Sequence, residues 1–401
     1  ILDVDGDTSI TADTDDQIDI KIAGSDKLKI DASSHLVTLT AGTSNLALGV
    51  NAGNSIASGG NYNVCIGDEA GTAITTGDVN TLIGFQAGDA ITTSGNNVAV
   101  GYASLTTNIL SSKNVAIGNN ALKTHNQGSA TDSFNVAVGH GAGEEITTGI
   151  RNTLIGGLAG DAITDADHNV AVGYSALSTN VLGSKSVAIG TAALNEQNPA
   201  SATDMYNVAI GHDAGNTMTT GVQNTIIGGL AGDALTAANR NVALGYQALT
   251  VDTQGSRSTA LGYNTLASQN FTSATNSNNT AVGYEAGLTV TTGQNNTLIG
   301  AGAGDALTTG SSNVAVGYEA LSTEDAHGNN TAVGYRALKD LDVGATGNNT
   351  ALGYNSGANV TTGTKNTFVG GLCGDATLDS SDNTAIGYEA LSADSGGTST
   401  A

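Results

Sequence analysis

The sequence predicts an all-β chain wound into a parallel β-solenoid, and three observations carry that prediction. The motif Asn-x-x-x-Gly recurs twenty times between Asn45 and Gly387, with Ser186 and Ser258 replacing the Asn in two copies. Most copies stand 17 residues apart; the other steps are 18, 19 and, three times, 21 residues. The composition has 56 Gly, one Pro (Pro199), no Trp and four Phe among 401 residues, which suits thin stacked layers rather than a thick core. A unit this short cannot bury its own apolar face, whereas stacked units bury one continuously. Coils at strand spacing stand about 4.8 Å apart.

Residues 1–40 do not fit the repeat. ILDVDGDTSITADTDDQIDIKIAGSDKLKID alternates polar and apolar residues in short runs and is rich in Asp, so a separate β segment is expected there. Residues 41–401 are expected to form the solenoid. Its strand is written in five positions, as in Ser186–Gly190 or Asn169–Gly173. Asn in the first position, represented by Asn169, supports a ladder of stacked amides. The second is Val or Thr in nearly every copy, β-branched and suited to strands. The fourth is always Ile, Val or Leu, and the third is usually Ala. Alternation places the second and fourth positions on one face and the third on the other. The expectation is that Ile189 and its equivalents line the inside of the coil, while Ala188 and its equivalents face a neighbouring chain. Two apolar faces of this kind predict a parallel homotrimer. The constant Gly, as at Gly190, suits a sharp corner.

A longer rhythm spans four coils. Leu82, Leu154, Ile226 and Leu298 recur every 72 residues in the third position, and Phe368 follows 70 later. The 21-residue coils carry the insertions Ser129-Ala130-Thr131, Ser201-Ala202-Thr203 and Ser273-Ala274-Thr275. A regular wall varies little, so a receptor is expected to read the places where the rule breaks. Phe134, Met205 and Tyr206, at the insertion tips, are the candidate receptor contacts.

Net charge of −24 excludes a nucleic-acid footprint and argues against docking on an anionic membrane. No apolar run approaches the ~20 residues of a membrane span, so no membrane insertion is expected. Cys65 and Cys373 read as small packing residues. Asp3–Asp7 (DVDGD) lacks the loop of an EF-hand and reads as a solvated acidic strand rather than a Ca²⁺ site. The recurrent Gly-Asp at Asp89, Asp161, Asp233, Asp305 and Asp375 recurs at four-coil intervals, roughly 19 Å and too far for paired acid–base chemistry, so a turn role is expected. Nine of eleven tyrosines follow the marker glycine, where they are expected to cover the edge of the coil. His140 and His212 hold equivalent positions and read as exposed turn residues. No catalytic constellation, cofactor or metal site is expected.

Ser186–Gly190, S-V-A-I-G, resembles the head repeat of YadA-type trimeric autotransporter adhesins, and Asn329–Leu338, NNTAVGYRAL, is similar to repeat regions of phage tail fibres. The resemblance spans about residues 42–390. It implies a left-handed parallel β-roll, a homotrimer and a non-enzymatic role in attachment to a cell-surface glycan or protein receptor, on a virion or cell surface. No coiled-coil stalk or membrane anchor follows the repeats in this sequence, which favours a virion fibre over the alternative, a bacterial autotransporter-type adhesin.

Overall fold

The computed structural model describes residues 8–12, 18–22, 25–30, 36–38, 40–344 and 346–393. The chain divides into two compact units, Ile1–Ser184 and Lys185–Ala401. The Asp3–Asp7 segment and His35 lie outside the described residues.

The first unit opens with a small antiparallel sheet. Strands Ser9–Ala12, Ile18–Ile22, Ser25–Ile30 and Leu36–Thr38 pair in that order, with a bulge at Ile20/Lys21. The parallel ladder begins at Leu46–Leu48. The Thr38 side chain caps it: Oγ1 accepts from the Ala47 amide at 2.9 Å and donates to the Asn45 carbonyl at 3.1 Å. Three-residue strands then follow in register, one per coil, so that Val64 pairs with Thr81 and Thr81 with Val98. Eight such strands fall in the first unit and twelve in the second. The protein is therefore a parallel β-solenoid of about twenty coils with 17-residue spacing, and the described residues contain no helix.

The pleat alternates as expected, but its two faces are reversed. In Val187–Ile189, Ala188 is fully buried and Ile189 is 37% exposed. The same holds from coil to coil: Ala209, Ala243 and Ala281 are buried, while Leu244, Leu261 and Ile299 are 38–41% exposed. Alternation says which residues share a face but not which face is inside. The Asn side chains decide it. They point inward with the third position, two residues on, and the space left beside them is narrow. Ala fits there in most coils, and a larger residue such as Ile226 only where the coil makes room for it.

The Asn ladder closes each coil and joins it to the next. Asn224 donates from Nδ2 to the Ala238 carbonyl of its own coil at 2.9 Å, and its Oδ1 accepts from the Asn241 amide of the following coil at 2.9 Å. Asn80, Asn152 and Asn313 repeat the pattern. Asn169 likewise reaches Gly183 at 3.0 Å. Where Ser258 replaces Asn, interior Gln269 fills the space: its Nε2 lies 3.1 Å from Ser258 Oγ, and its Oε1 accepts from Asn279 Nδ2 at 2.8 Å. Gln197 fills the equivalent space, its Oε1 accepting from both Ser186 Oγ at 3.1 Å and Asn207 Nδ2 at 3.0 Å.

The rest of the core obeys a volume rule. A large third residue is always followed, six positions on, by Gly: Leu82 by Gly88, Leu154 by Gly160, Ile226 by Gly232, Leu298 by Gly304, Phe368 by Gly374. Where Leu stands at that later position, the third residue is Ala. A Cβ on Gly304 would lie 2.7 Å from Leu298 Cδ2 and 2.8 Å from Leu307 Cδ1. Phe368 is larger still, and the interior Leu307 slot becomes Thr377 in its coil. The marker glycine is fixed by backbone crowding instead. Gly190 has φ +132, and a Cβ there would sit 2.3 Å from the Gly211 carbonyl oxygen.

Candidate functional site

Three surfaces emerge from this geometry. The first is an aliphatic stripe. The fourth strand position carries Ile, Val or Leu in every coil, and the second carries Val or Thr in all but the first, so no charge enters that face. Its exposed members include Ile117, Ile155, Ile189, Leu244, Ile299 and Leu352. Regular apolar surface of this extent is uncommon on a monomer left in water.

The second is the row of rings after the marker glycine. Tyr246, Tyr263 and Tyr284 stack with centroids 5.8 and 5.4 Å apart, and Tyr318, Tyr335 and Tyr354 at 5.5 and 5.3 Å. All are exposed. Arg336 lies against this row, its Cζ 5.1 Å from the Tyr335 centroid and 5.9 Å from that of Tyr318, while its Nε donates to Glu319 Oε2 at 2.7 Å.

The third is formed by the insertion coils. The extra residues build a short second ladder, Ser111–Ser112 with Thr131–Asp132 and Gly255–Ser256 with Thr275–Asn276. Phe134 and Tyr206 are 47% and 50% exposed, each beneath a lysine. Lys113 Nζ is 5.1 Å from the Phe134 centroid and 2.6 Å from Asp132; Lys185 Nζ is 5.2 Å from the Tyr206 centroid and 2.6 Å from Asp204. Met205 differs. It is fully buried in the coil, because the tip alternates like a strand and its middle residue turns inward. A role for Met205 as a surface contact is therefore corrected to one in the core.

The titratable groups inside the coil have structural roles. Cys65 and Cys373 are buried and free, and burial pushes the Cys65 thiol up to about 12. His125 is fully buried, neither ring nitrogen reaches a partner, and burial lowers its pKa to about 4. Asp252 is buried, accepting from Gln269 Nε2 at 2.6 Å and from the Gly255 amide at 2.9 Å. Glu324 occupies the same corner one super-unit later, accepting from the His327 amide, but Leu341 replaces the glutamine and leaves its Oε2 unpartnered. Among the described residues, Glu324, Asp325 and His327 are a group that could hold a metal ion, with ligand atoms within 4.8 Å of one another. The Gly-Asp carboxylates are half-buried, and burial raises the pKa of Asp89, Asp161, Asp233, Asp305 and Asp375. Among the described residues no helix is long and apolar enough to cross a membrane.

The sequence reading missed the internal glutamines. Their signal was present, since Ser186 and Ser258, the two breaks in the Asn ladder, are each followed eleven residues later by Gln197 and Gln269. Comparison with family models, with curated proteins and with solved structures finds no match to this chain.

Proposed function

We propose that the chain is the shaft of a left-handed, homotrimeric surface fibre, a phage tail fibre or related virion fibre, whose work is reach and attachment to a host receptor without catalysis. The observation that carries the reading is the aliphatic stripe, presented once per coil and free of charge. Three identical chains packed in parallel would cover it along its length, and each added coil would add the same increment of buried surface. The ring row and insertion tips would then remain outward for contact.

The test is association. Native mass measurement of the intact chain is expected to give a trimer. Ile299→Asp, on the outward face, should release monomers whose coils remain β-rich by circular dichroism. Ala315→Phe, on the inward face, should unfold its own coil instead, because Leu321 already fills the volume that a large third residue takes only where Gly follows. A wild-type chain that remains a monomer at high concentration overturns the proposal.

A further inference from the structure

The ring row is interrupted, and one interruption is a formed cavity. After Gly300 the chain places Ala301 where neighbouring coils place tyrosine, so a ring is missing between Tyr284 and Tyr318. The gap spans roughly two of the 5.4 Å steps seen beside it. It holds a cavity of about 160 Å³ lined by both tyrosines and by Glu285, Asp305 and Glu319. Asp305 Oδ1 is buried and has no hydrogen-bond partner.

The protein itself shows what such surroundings hold. Arg336 stands two residues after its marker glycine, lies on the faces of Tyr335 and Tyr318, and binds the carboxylate of Glu319 in the preceding coil. In the coil of the cavity the equivalent residue is Gly302, and Glu285 of the preceding coil takes the place of Glu319. Tyrosine faces and a carboxylate are thus retained while the arginine is absent, and Asp305 adds a second acceptor.

We propose that this cavity binds a planar organic cation, the guanidinium head of an arginine on a partner protein. The size fits a side-chain head and falls below the roughly 300–1,000 Å³ of sites for larger small molecules. Ring faces attract the cation, and a planar fork suits carboxylates on its edge. The charge matches too: burial and the neighbouring Glu319 and Glu285 hold Asp305 at a raised pKa, a cost that an incoming cation relieves. The missing ring recurs at four-coil intervals, with Gly157 between His140 and Tyr174, Gly229 between His212 and Tyr246, and Gly371 between Tyr354 and Tyr388, but Leu158, Leu230 and Leu372 stand there in place of Gly302, so the open slot belongs to the coil of Ala301. Asp161, Asp233 and Asp375 follow in the same coils. The site lies off the aliphatic stripe, so the inference stands apart from the association proposed above.

The test uses the intact chain with ¹³C-methyl alanine, the Ala301 methyl being assigned by its loss in Ala301→Gly. N-acetyl-arginine amide is expected to shift this resonance saturably, and N-acetyl-citrulline amide, its neutral planar isostere, should not. Asp305→Asn should weaken arginine binding by about fivefold or more. An equal response to the arginine and citrulline amides, or no saturable response to either, overturns the proposal, and that comparison needs no variant to fold.

Discussion

The volume rule can be tested by breaking it and then restoring it in a different form. Leu298 fills space over two glycines: its Cδ1 lies 2.7 Å from where a Cβ on Gly287 would be, and its Cδ2 2.7 Å from the same point on Gly304. Leu298→Ala empties that space and should cost about 3 kcal/mol, the lower part of the range for a buried Leu. Gly304→Leu drives a side chain into Leu298 and Leu307. Overpacking contributes about 1–3 kcal/mol and the left-handed backbone, φ +57, about 1 more, again near 3 in all. Independent effects would sum to about 6 kcal/mol. The double variant instead recreates the pairing of Ala332 with Leu338, a leucine that already stands at φ 49 in a coil that keeps a leucine, Leu341, at the position of Leu307. It should cost only about 3 kcal/mol, because the side chain introduced by Gly304→Leu would occupy the volume that Leu298 vacates, with a void left over Gly287. The coupling is therefore about −3 kcal/mol. Repeat arrays need not unfold in one step, so native-state hydrogen exchange on residues 296–321 is the assay. Additivity within about 0.5 kcal/mol would refute the shared-volume reasoning.

The same reasoning reaches other positions. His125 must stay neutral to remain buried; with its folded pKa lowered to about 4, its contribution is whole above the ordinary histidine pKa and lost as pH falls from about 6.5 towards 4, at most about 3 kcal/mol. His125→Gln, the residue at the equivalent Gln269, should flatten that segment of the local stability profile; an unchanged difference between pH 4 and 6.5 counts against it. Asn313→Ala removes an acceptor for the Asn330 amide and a donor to the His327 carbonyl, and should open the flanking coils by about 2–4 kcal/mol in exchange, with Asn313→Ser milder. Lys365, exposed at φ 59, pays a left-handed penalty that glycine would not, so Lys365→Gly should raise local stability by up to about 1 kcal/mol; a loss would show that its 3.9 Å approach to Asp382 matters more.

The period and the coil were legible because both follow from spacing. Nothing but stacked strands explains twenty aligned glycines with β-branched neighbours. The inward face was misread because Ile189 and Ala188 were weighed by hydrophobicity alone, and a larger apolar residue was given the inside. Two residue-level signals pointed the other way. Asn169 shares its face with Ala171, and an amide ladder holds only when shielded from water. Leu298 and Gly304 trade volume, which two residues do only when they meet. The burial of Met205 was harder to read, since a four-residue insertion does not announce that its tip continues the alternation. The cavity beside Ala301 needed coordinates: an alanine among tyrosines is a gap only if the rings on either side stay upright.

The asparagine ladder gives the chain a direction. Most amide nitrogens secure their own coil and several also reach back to the Asn before, whereas the carbonyl oxygens accept from the coil that comes after, so a finished coil offers acceptors that an unfinished one does not. The Thr38 cap supplies the first surface of this kind, on the side of the chain that leaves the ribosome earliest. Winding in that order resembles crystal growth from a seed. Each new layer copies the face beneath it, and a fault such as Ser258 must be repaired within its own layer, as Gln269 does, before the next can register.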